Sequence, residues 1–452
     1  MTSKYIRNFS IIAHIDHGKT TLTDRLLLRT KTIDERIFTE RVMDSNPIEQ
    51  ERGITIKMAP VRMFYTAANG REYQLNLIDT PGHVDFSYEV SRSLAAVEGA
   101  LLLVDVTQGV QAQTLAHFQR ALEQDLVIIP VLNKVDLGGG DPDAVMLEMM
   151  DMFGFKEEDF VKVSAKTGHG IDDLLEIIVG KLPAPSDKAE MPLRALVFNS
   201  VFDTHKGVIT HVRVTDGIIE PKVPLRLMAS NSSFEAFEVG VFSPRMKPVE
   251  RLTAGEVGYL ATGLKNIRIA QVGDTITTQV SAAIEALAGY EQPQLMVFMD
   301  FYPLDGDDFE LLKDSLDKLM LNDSALSYVP THSQALGNGV RVGFLGILHA
   351  EIVQERLERE FNLDLIGTTP SVSYQIEMSD GASQIVHNPM ELPDPTSIRT
   401  ILEPMIDAII FSPRSYLGAV IQLLEHHRAV QKDMEFFGDR VKLRYVMPLA
   451  EL

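Results

Sequence analysis

Apolar residues in the first third of this chain come in short runs, interrupted by a polar residue only at Ser10 and Asn76. Phe9 to Ala13, Leu75 to Ile78, Leu101 to Val104 and Val127 to Leu132 are each four to six residues long. That is too short for a helix and too continuous for a strand with one wet face. Stretches of helical period, such as Thr21 to Leu28, lie between them. Continuous runs alternating with helices predict a largely parallel sheet covered on both faces, which binds ligands where strands end and loops begin. From Leu193 to about Thr278 the pattern changes to short alternating strands with Gly-containing turns, such as Val208 to Val214 before Asp216-Gly217, and predicts a small β-barrel. From Gln294 to about Tyr374 it becomes strand, helix, strand, helix. Phe309, Leu312, Leu316 and Leu319 share one helical face and Val353, Leu357 and Phe361 another, which reads as core packing. His349 and Glu351, two apart on the same helix, face different ways and make no metal pair.

The fold class is therefore multidomain α/β, with about three or four domains expected at this length. Pro183-Ala184-Pro185-Ser186-Asp187 marks a linker between a first domain, residues 1–186, and the β-barrel, residues 187–285; Pro389 to Pro395 reads as another. The formal charge of −21 argues against unspecific coating of nucleic acid, while leaving room for local basic patches. The absence of cysteine removes disulfides, thiolate chemistry and cysteine-ligated zinc. No signal-peptide pattern and no apolar run of about 18 residues is present, so a cytoplasmic protein without a transmembrane segment is expected.

Four motifs fall at the predicted strand ends. Ala13-His14-Ile15-Asp16-His17-Gly18-Lys19-Thr20 follows the first run and leads into a helix through Thr21. This is the phosphate-binding loop pattern with Ala in place of the first Gly, so backbone amides and a helix N-terminus are expected to cradle phosphates. Lys19 is expected to neutralise the β- and γ-phosphates and the Thr20 hydroxyl to ligate magnesium. In Asp79-Thr80-Pro81-Gly82-His83, Asp79 holds magnesium through water and the Gly82 amide contacts the γ-phosphate. In Asn133-Lys134-Val135-Asp136, the Asp136 carboxylate accepts the guanine N1–H and exocyclic amine, a pairing adenine cannot make. Ser164-Ala165-Lys166 offers a backbone contact to the guanine oxygen and packing for the base. Arg52-Gly53-Ile54-Thr55 lies in a polar stretch without clear periodicity. There Thr55 completes the magnesium shell only while the γ-phosphate is present, which makes the segment an order–disorder switch.

Arg52-Gly53-Ile54-Thr55 together with Asp79-Thr80-Pro81-Gly82-His83 resembles the translational GTPase family. Small signalling GTPases usually place Gln where His83 stands. Val42-Met43-Asp44-Ser45, Asp85 to Leu94, Val342 to His349 and Gln354 to Ile366 are most similar to the elongation factor 4 (LepA) branch, and the match runs over essentially the whole chain. The resemblance implies that His83 orients the attacking water, with Ile15 and Ile54 as an apolar gate. It implies that Asp16 can hold a monovalent cation near the transferring phosphate; a carboxylate stabilised at a helix start is an equal reading. It implies GTP/GDP and magnesium as cofactors and both ribosomal subunits as partners, with the barrel docking on the small subunit and the sarcin-ricin loop of large-subunit RNA fixing His83. It also implies action in back-translocation, fidelity or rescue under stress, initiation or assembly, by a monomer. Peripheral association with the cytoplasmic face of the membrane belongs to the same resemblance, without a visible anchor.

The resemblance further implies a ferredoxin-like domain over residues 292–376 and the start of another, of the elongation factor G domain V type, over residues 396–452. The sequence stops before that domain's second helix and before the basic C-terminal domain through which the family contacts tRNA, which weakens tRNA as a partner. Two outcomes stay open: a ribosome-stimulated GTPase, or a GTP-dependent ribosome-binding module without productive remodelling. No residue is assigned as an arginine finger in cis, although Arg52 is near. The stimulation, about 10⁵-fold for GTPase activators, is therefore expected from the partner.

Overall fold

Every residue of β1 (Ile6–Ala13) is buried, as the first apolar run requires of a strand covered on both faces. The structure, a computed structural model, describes residues 3–36, 38, 41–43, 47–52, 55, 57–280, 282–288, 295–323, 325–368, 371–386, 391–437 and 440–451. After β1 come α1 (Lys19–Arg29), α2 (Pro47–Arg52), β2 (Ala59–Thr66), β3 (Glu72–Asp79), α3 (Ser87–Leu94) and β4 (Gly99–Asp105). Then follow α4 (Ala112–Glu123), β5 (Val127–Asn133), α5 (Pro142–Phe153), β6 (Val161–Lys162) and α6 (Ile171–Lys181). The strands form one sheet in the order β2-β3-β1-β4-β5-β6, parallel except for the β2–β3 hairpin. Leu101 and Leu103 of β4 pack against Leu22, Leu26 and Leu27 of α1 and Leu174, Leu175 and Ile178 of α6 in one core. Each such leucine contributes about 1.5–3 kcal/mol by leaving water. α5 begins at Asp141, whose carboxylate accepts the N–H groups of Asp143 and Ala144 at 3.1 Å ahead of Pro142 in the first turn.

All four predicted apolar strands are present, each extended by residues that complete the ladder. The parallel register aligns their C-terminal ends: Ile11 lies beside Asp79, Ala13 beside Leu103, and Asp105 beside Asn133. The phosphate-binding loop and the Asp79, Asp105 and Asn133 ends therefore meet at one edge of the sheet.

The next strands are β7 (Arg194–Asp203), β8 (Gly207–Asp216), β9 (Ile218–Ile219), β10 (Pro224–Leu227) and β11 (Ser233–Glu235). They continue with β12 (Glu238–Ser243), β13 (Arg245–Pro248), β14 (Leu252–Thr253), β15 (Val257–Ala261) and β16 (Thr275–Thr278). Eight of them form an antiparallel sheet in the order β11-β10-β16-β7-β8-β15-β12-β13. Leu225 and Leu227 from one end of that order share a core with Val239 and Val241 from the other, so the sheet curls on itself as a barrel. Gly217 turns the chain at φ 79°, where a Cβ would meet the Leu193 Cα at 2.7 Å.

The parallel-sheet domain and the barrel belong to one compact unit, Met1–Gln292 with Leu321–Ser324. Met58, Ile78, Ala96 and Val97 pack on Phe198 and Val257 of the barrel. Around this apolar patch Arg62 pairs with Glu256 at 3.0 Å, Arg213 with Glu98, and the Asn8 amide donates to Glu98 at 2.7 Å and to the Gly255 carbonyl at 3.1 Å.

Within the barrel, His211 is buried between Phe198 and Phe242, with ring centroids 5.9 and 4.7 Å away. Burial pushes its pKa down from 6.5 to about 3. Between those two values the unfolded chain binds a proton that the folded chain refuses, so stability falls as pH falls through that window. His211 alone is expected to contribute about 1.4 kcal/mol per pH unit. Urea-unfolding midpoints from pH 7 to about 5 check this: His211→Phe is expected to give a shallower pH slope than wild type, and an unchanged slope contradicts it.

The second unit comprises Pro293–Met320 and Ala325–Leu452. It contains β17 (Val297–Pro303), α7 (Phe309–Met320), β18 (Ser327–Ser333), β19 (Gly337–Phe344), α8 (Ile347–Phe361) and β20 (Leu365–Gly367). These make an antiparallel sheet in the order β18-β19-β17-β20 with both helices packed on it. The predicted helical stripes supply the core: Leu312, Leu316, Leu319, Val353 and Leu357 are buried against Phe301, Val340, Val342 and Phe344, with Phe309 and Phe361 partly buried beside them. His349 is buried at the start of α8, where its Nδ1 accepts the Leu345 N–H at 3.1 Å. Two three-stranded sheets follow. One is β21 (Tyr374–Met378), β22 (Ser383–Val386) and β23 (Ile398–Leu402); the other is β24 (Met405–Pro413), β25 (Val430–Phe437) and β26 (Arg440–Pro448). α9 (Leu417–His426) connects β24 to β25 and buries Leu424 against Val441, Leu443 and Tyr445.

Candidate functional site

Gly18 sits at φ 93° between the loop and α1, a left-handed conformation. A Cβ there would lie 2.5 Å from the Asn133 Nδ2, so only glycine lets the loop approach the β5 end. His14, Ile15, Asp16, Gly18, Lys19, Thr20 and Thr21 then line a pocket of about 190 Å³ with Gly82, His83, Thr55 and Lys134. The sequence-predicted phosphate-side residues thus converge, apart from His17 and Asp79, which lie behind the pocket wall. Gly53 and Ile54, and Asp44 and Ser45 of the family resemblance, lie outside the described residues.

The His17 side chain is fully buried and turned away from the pocket, with Nδ1 3.3 Å from the Asp105 amide and 3.4 Å from the Leu103 carbonyl. Burial pushes its pKa down to about 4, so the imidazole is neutral at physiological pH. Asp16 is exposed at the rim, and its carbonyl accepts the Lys134 ammonium at 2.7 Å.

The Lys19 ammonium donates to the Thr55 Oγ1 and to the Asp79 Oδ1, both at 2.9 Å. Asp79 is fully buried, and its Oδ2 has no hydrogen-bond partner among the described residues. A buried carboxylate with one oxygen unpartnered, linked through Lys19 to the Thr55 hydroxyl, together with Thr20 on the pocket wall makes a hard-oxygen donor set, which suits magnesium. Among the described residues no cluster of three His, Cys, Asp or Glu offers a competing metal site.

His83 is half-buried, and its Nδ1 accepts the Asp85 backbone N–H at 3.1 Å. The Asp85 carboxylate lies 3.3 Å from the same nitrogen. The amide contact requires a lone pair on Nδ1, whereas the carboxylate contact requires a proton. The first is the shorter and has hydrogen-bond geometry, so the neutral ring is assigned its proton on Nε2.

A second pocket, of about 430 Å³, adjoins the first and holds Asn133, Lys134, Asp136, Ser164, Ala165 and Lys166. Asn133 uses both ends of its amide on protein: Nδ2 donates to the His17 carbonyl at 2.9 Å and Oδ1 accepts the Ala165 N–H at 3.0 Å. It ties the phosphate loop to the Ser164 loop, and that Ala165 amide is already engaged. Asp136 is exposed at the pocket edge, on a turn closed by the Leu137 N–H to the Lys134 carbonyl at 3.0 Å.

Four residues of this site carry no motif. Asp105 anchors the Lys134 ammonium at 2.7 Å. Burial alone would push its carboxyl pKa up, but Lys134 and the Thr107 amide and hydroxyl together hold it below the usual range. Arg25 of α1 donates to the Ala165 carbonyl at 2.9 Å and to the Lys166 carbonyl, bracing the base-side loop. Asp24 and Arg41 line the second pocket, and Arg41 the first as well. Of these, only Asp105 left a sequence signal: it ends an apolar run as Asp79 does.

Residues 4–184 match the family profile described as the elongation factor Tu GTP binding domain, residues 207–277 that of elongation factor Tu domain 2, and residues 400–452 that of the elongation factor G C-terminus. Proteins named elongation factor 4 from Clostridium botulinum (strain Hall) and Clostridium perfringens (strain SM101) are each 52% identical to the chain, over 450 and 451 residues. Each alignment spans 99% of this chain and 75% of the relative. The chain belongs to the elongation factor 4 family. It is a GTPase of the ribosome-associated translational type, as the motifs predict. A crystal structure from Thermus thermophilus shares the fold at 18% identity, with a TM-score of 0.72 over 99% of this chain and 93% of that one. No helix among the described residues is long and apolar enough to cross a membrane.

Proposed function

We propose that the chain binds GTP with its guanine at Asp136 and its phosphates along Gly18 to Thr21, and hydrolyses it on the ribosome through a water oriented by His83. The observation that carries this reading is the position of His83 on the wall of the pocket that also holds Lys19, Thr20 and Thr55. Phosphoryl transfer needs a positioned water and stabilised charge more than covalent help. Incoming β- and γ-phosphate oxygens compete for the Lys19 ammonium and draw it from Thr55 and Asp79. Thr20, Thr55 and, through water, Asp79 would then hold magnesium, which neutralises charge on the phosphate oxygens. Thr55 joins only when phosphate is present, so its segment orders with GTP. β2, which follows that segment, packs on the barrel, so the barrel senses the ordered form.

His83 with its proton on Nε2 donates toward the water or phosphate, and the Asp85 carboxylate steadies the ring if Nδ1 gains a proton. The sarcin-ricin loop of large-subunit RNA is the partner whose phosphate fixes this ring, and the barrel docks on the small subunit. Single-turnover GTP hydrolysis with and without purified ribosomes tests the reading. Stimulation by several orders of magnitude is expected, against about 10⁵-fold for strong GTPase activators. Tight GTP binding without stimulation would leave a GTP-dependent binding module instead.

A further inference from the structure

We infer that Arg41 is a nucleotide-binding residue supplied in cis, with its guanidinium on the α-phosphate of the bound guanine nucleotide, and that Asp24 holds it there. This rests on the guanine-nucleotide site proposed above and adds to it a cation that no motif marks.

The position follows from how the two pockets join. The base pocket and the phosphate pocket share four lining residues: Gly18, Thr21, Lys134 and Arg41. A nucleotide spanning both puts its ribose and α-phosphate at that junction, because these are the groups that link base to phosphate chain. Gly18 and Thr21 belong to the phosphate-binding loop and the start of α1, and Lys134 is held back by Asp105 and the Asp16 carbonyl. Arg41 belongs to neither of these elements and reaches the junction from the segment before α2.

Arg41 is also held in a way that surface arginines are not. Its backbone is left-handed, at φ 61°, which a side chain with a Cβ rarely adopts. The carboxylate of Asp24, buried on α1, accepts the Arg41 N–H at 2.7 Å and the Val42 N–H at 3.2 Å. A carboxylate taking two successive amides fixes this turn against the helix that leaves the phosphate loop, so the residue's place is referred directly to that loop. An over-determined, strained residue at a ligand pocket argues for function. The Arg41 Nη1 lies 3.4 Å from the Glu49 carbonyl. Arginine carries five N–H donors in a planar fork, so that contact and one to a phosphate oxygen are compatible.

GDP and GTP titrations of the full chain decide the matter. Arg41→Gln is expected to weaken both nucleotides by the same factor, about tenfold, the value of one charge-assisted hydrogen bond. Arg41→Lys, which keeps the charge, is expected to fall between wild type and Arg41→Gln. Asp24→Asn is expected to reproduce most of the loss and to add little to Arg41→Gln. Unchanged affinity in Arg41→Gln, equal losses in Arg41→Lys and Arg41→Gln, or a loss confined to GTP would each overturn the inference, the last by placing the contact at the γ-phosphate. A wild-type chain that bound neither nucleotide would sink the functional reading as well, whereas wild-type binding with an inert Arg41 sinks this inference alone.

Discussion

His83→Ala is expected to keep its affinity for GTP while losing ribosome-stimulated turnover by about four to five orders of magnitude, the range an activating partner supplies to such GTPases. Affinity survives because, in the site proposed above, the phosphate contacts come from Lys19, Thr20 and the loop amides, while His83 lines the same pocket next to Gly82. Turnover fails because the substitution removes the proposed donor to the attacking water. His83→Gln separates orientation from proton transfer, since glutamine donates and accepts but does not titrate near neutrality. Substantial activity in His83→Gln supports orientation. Activity lost in both variants makes proton transfer at the ring essential, and equal turnover in His83→Ala and wild type removes His83 from the reaction. Single-turnover hydrolysis with saturating ribosomes, beside GTP titration, reads all three outcomes.

The sequence marked the parts of this site whose chemistry is local. The phosphate loop, Asp79 to His83, Asn133 to Asp136 and Ser164 to Lys166 are each contiguous; the first three each end an apolar run that a parallel sheet aligns at one edge, and the last follows the short β6 beside β5. What stayed hidden depends on partners distant in sequence. Asn133 matches a motif, but its bonds to the His17 carbonyl and the Ala165 amide, 116 and 32 residues away, show that it joins two loops. His17 sits inside the motif, yet Leu103 and Asp105 of β4 draw its ring inward. Arg41 depends on a left-handed turn caught by a carboxylate 17 residues earlier, and no residue type announces that. α2 is six residues of Pro-Ile-Glu-Gln-Glu-Arg, too short to show a period, and only its buried Ile48 and Glu49 reveal it as structure. His427, at the end of α9, pairs with Glu451 at 2.9 Å, a contact 24 residues long that spacing alone does not disclose.

The other large effect concerns the base. Wild-type protein is expected to bind GDP with no measurable competition from ATP, because a site built around a specific hydrogen bond rejects the analogue lacking it by about 10⁴-fold. Asp136 is exposed at the edge of its pocket, and in the site proposed above both guanine donors meet its carboxylate, which the bound base then shields from water. Asp136→Asn keeps the shape and removes the charge, and it presents an amide donor where guanine also donates. Two charge-assisted hydrogen bonds at about 1.5–3 kcal/mol each set the expected loss of GDP affinity at about 10³-fold. Xanthine carries a carbonyl where guanine carries its amine, so the same amide that repels guanine can donate to it, and xanthosine diphosphate is expected to overtake GDP in this variant. Competition against a fluorescent GDP analogue reads the order of the two nucleotides. GDP affinity unchanged in Asp136→Asn, or ATP competing with wild type, would move base recognition away from Asp136. It would then rest on the Ser164 to Lys166 loop, whose Ala165 amide Asn133 already occupies.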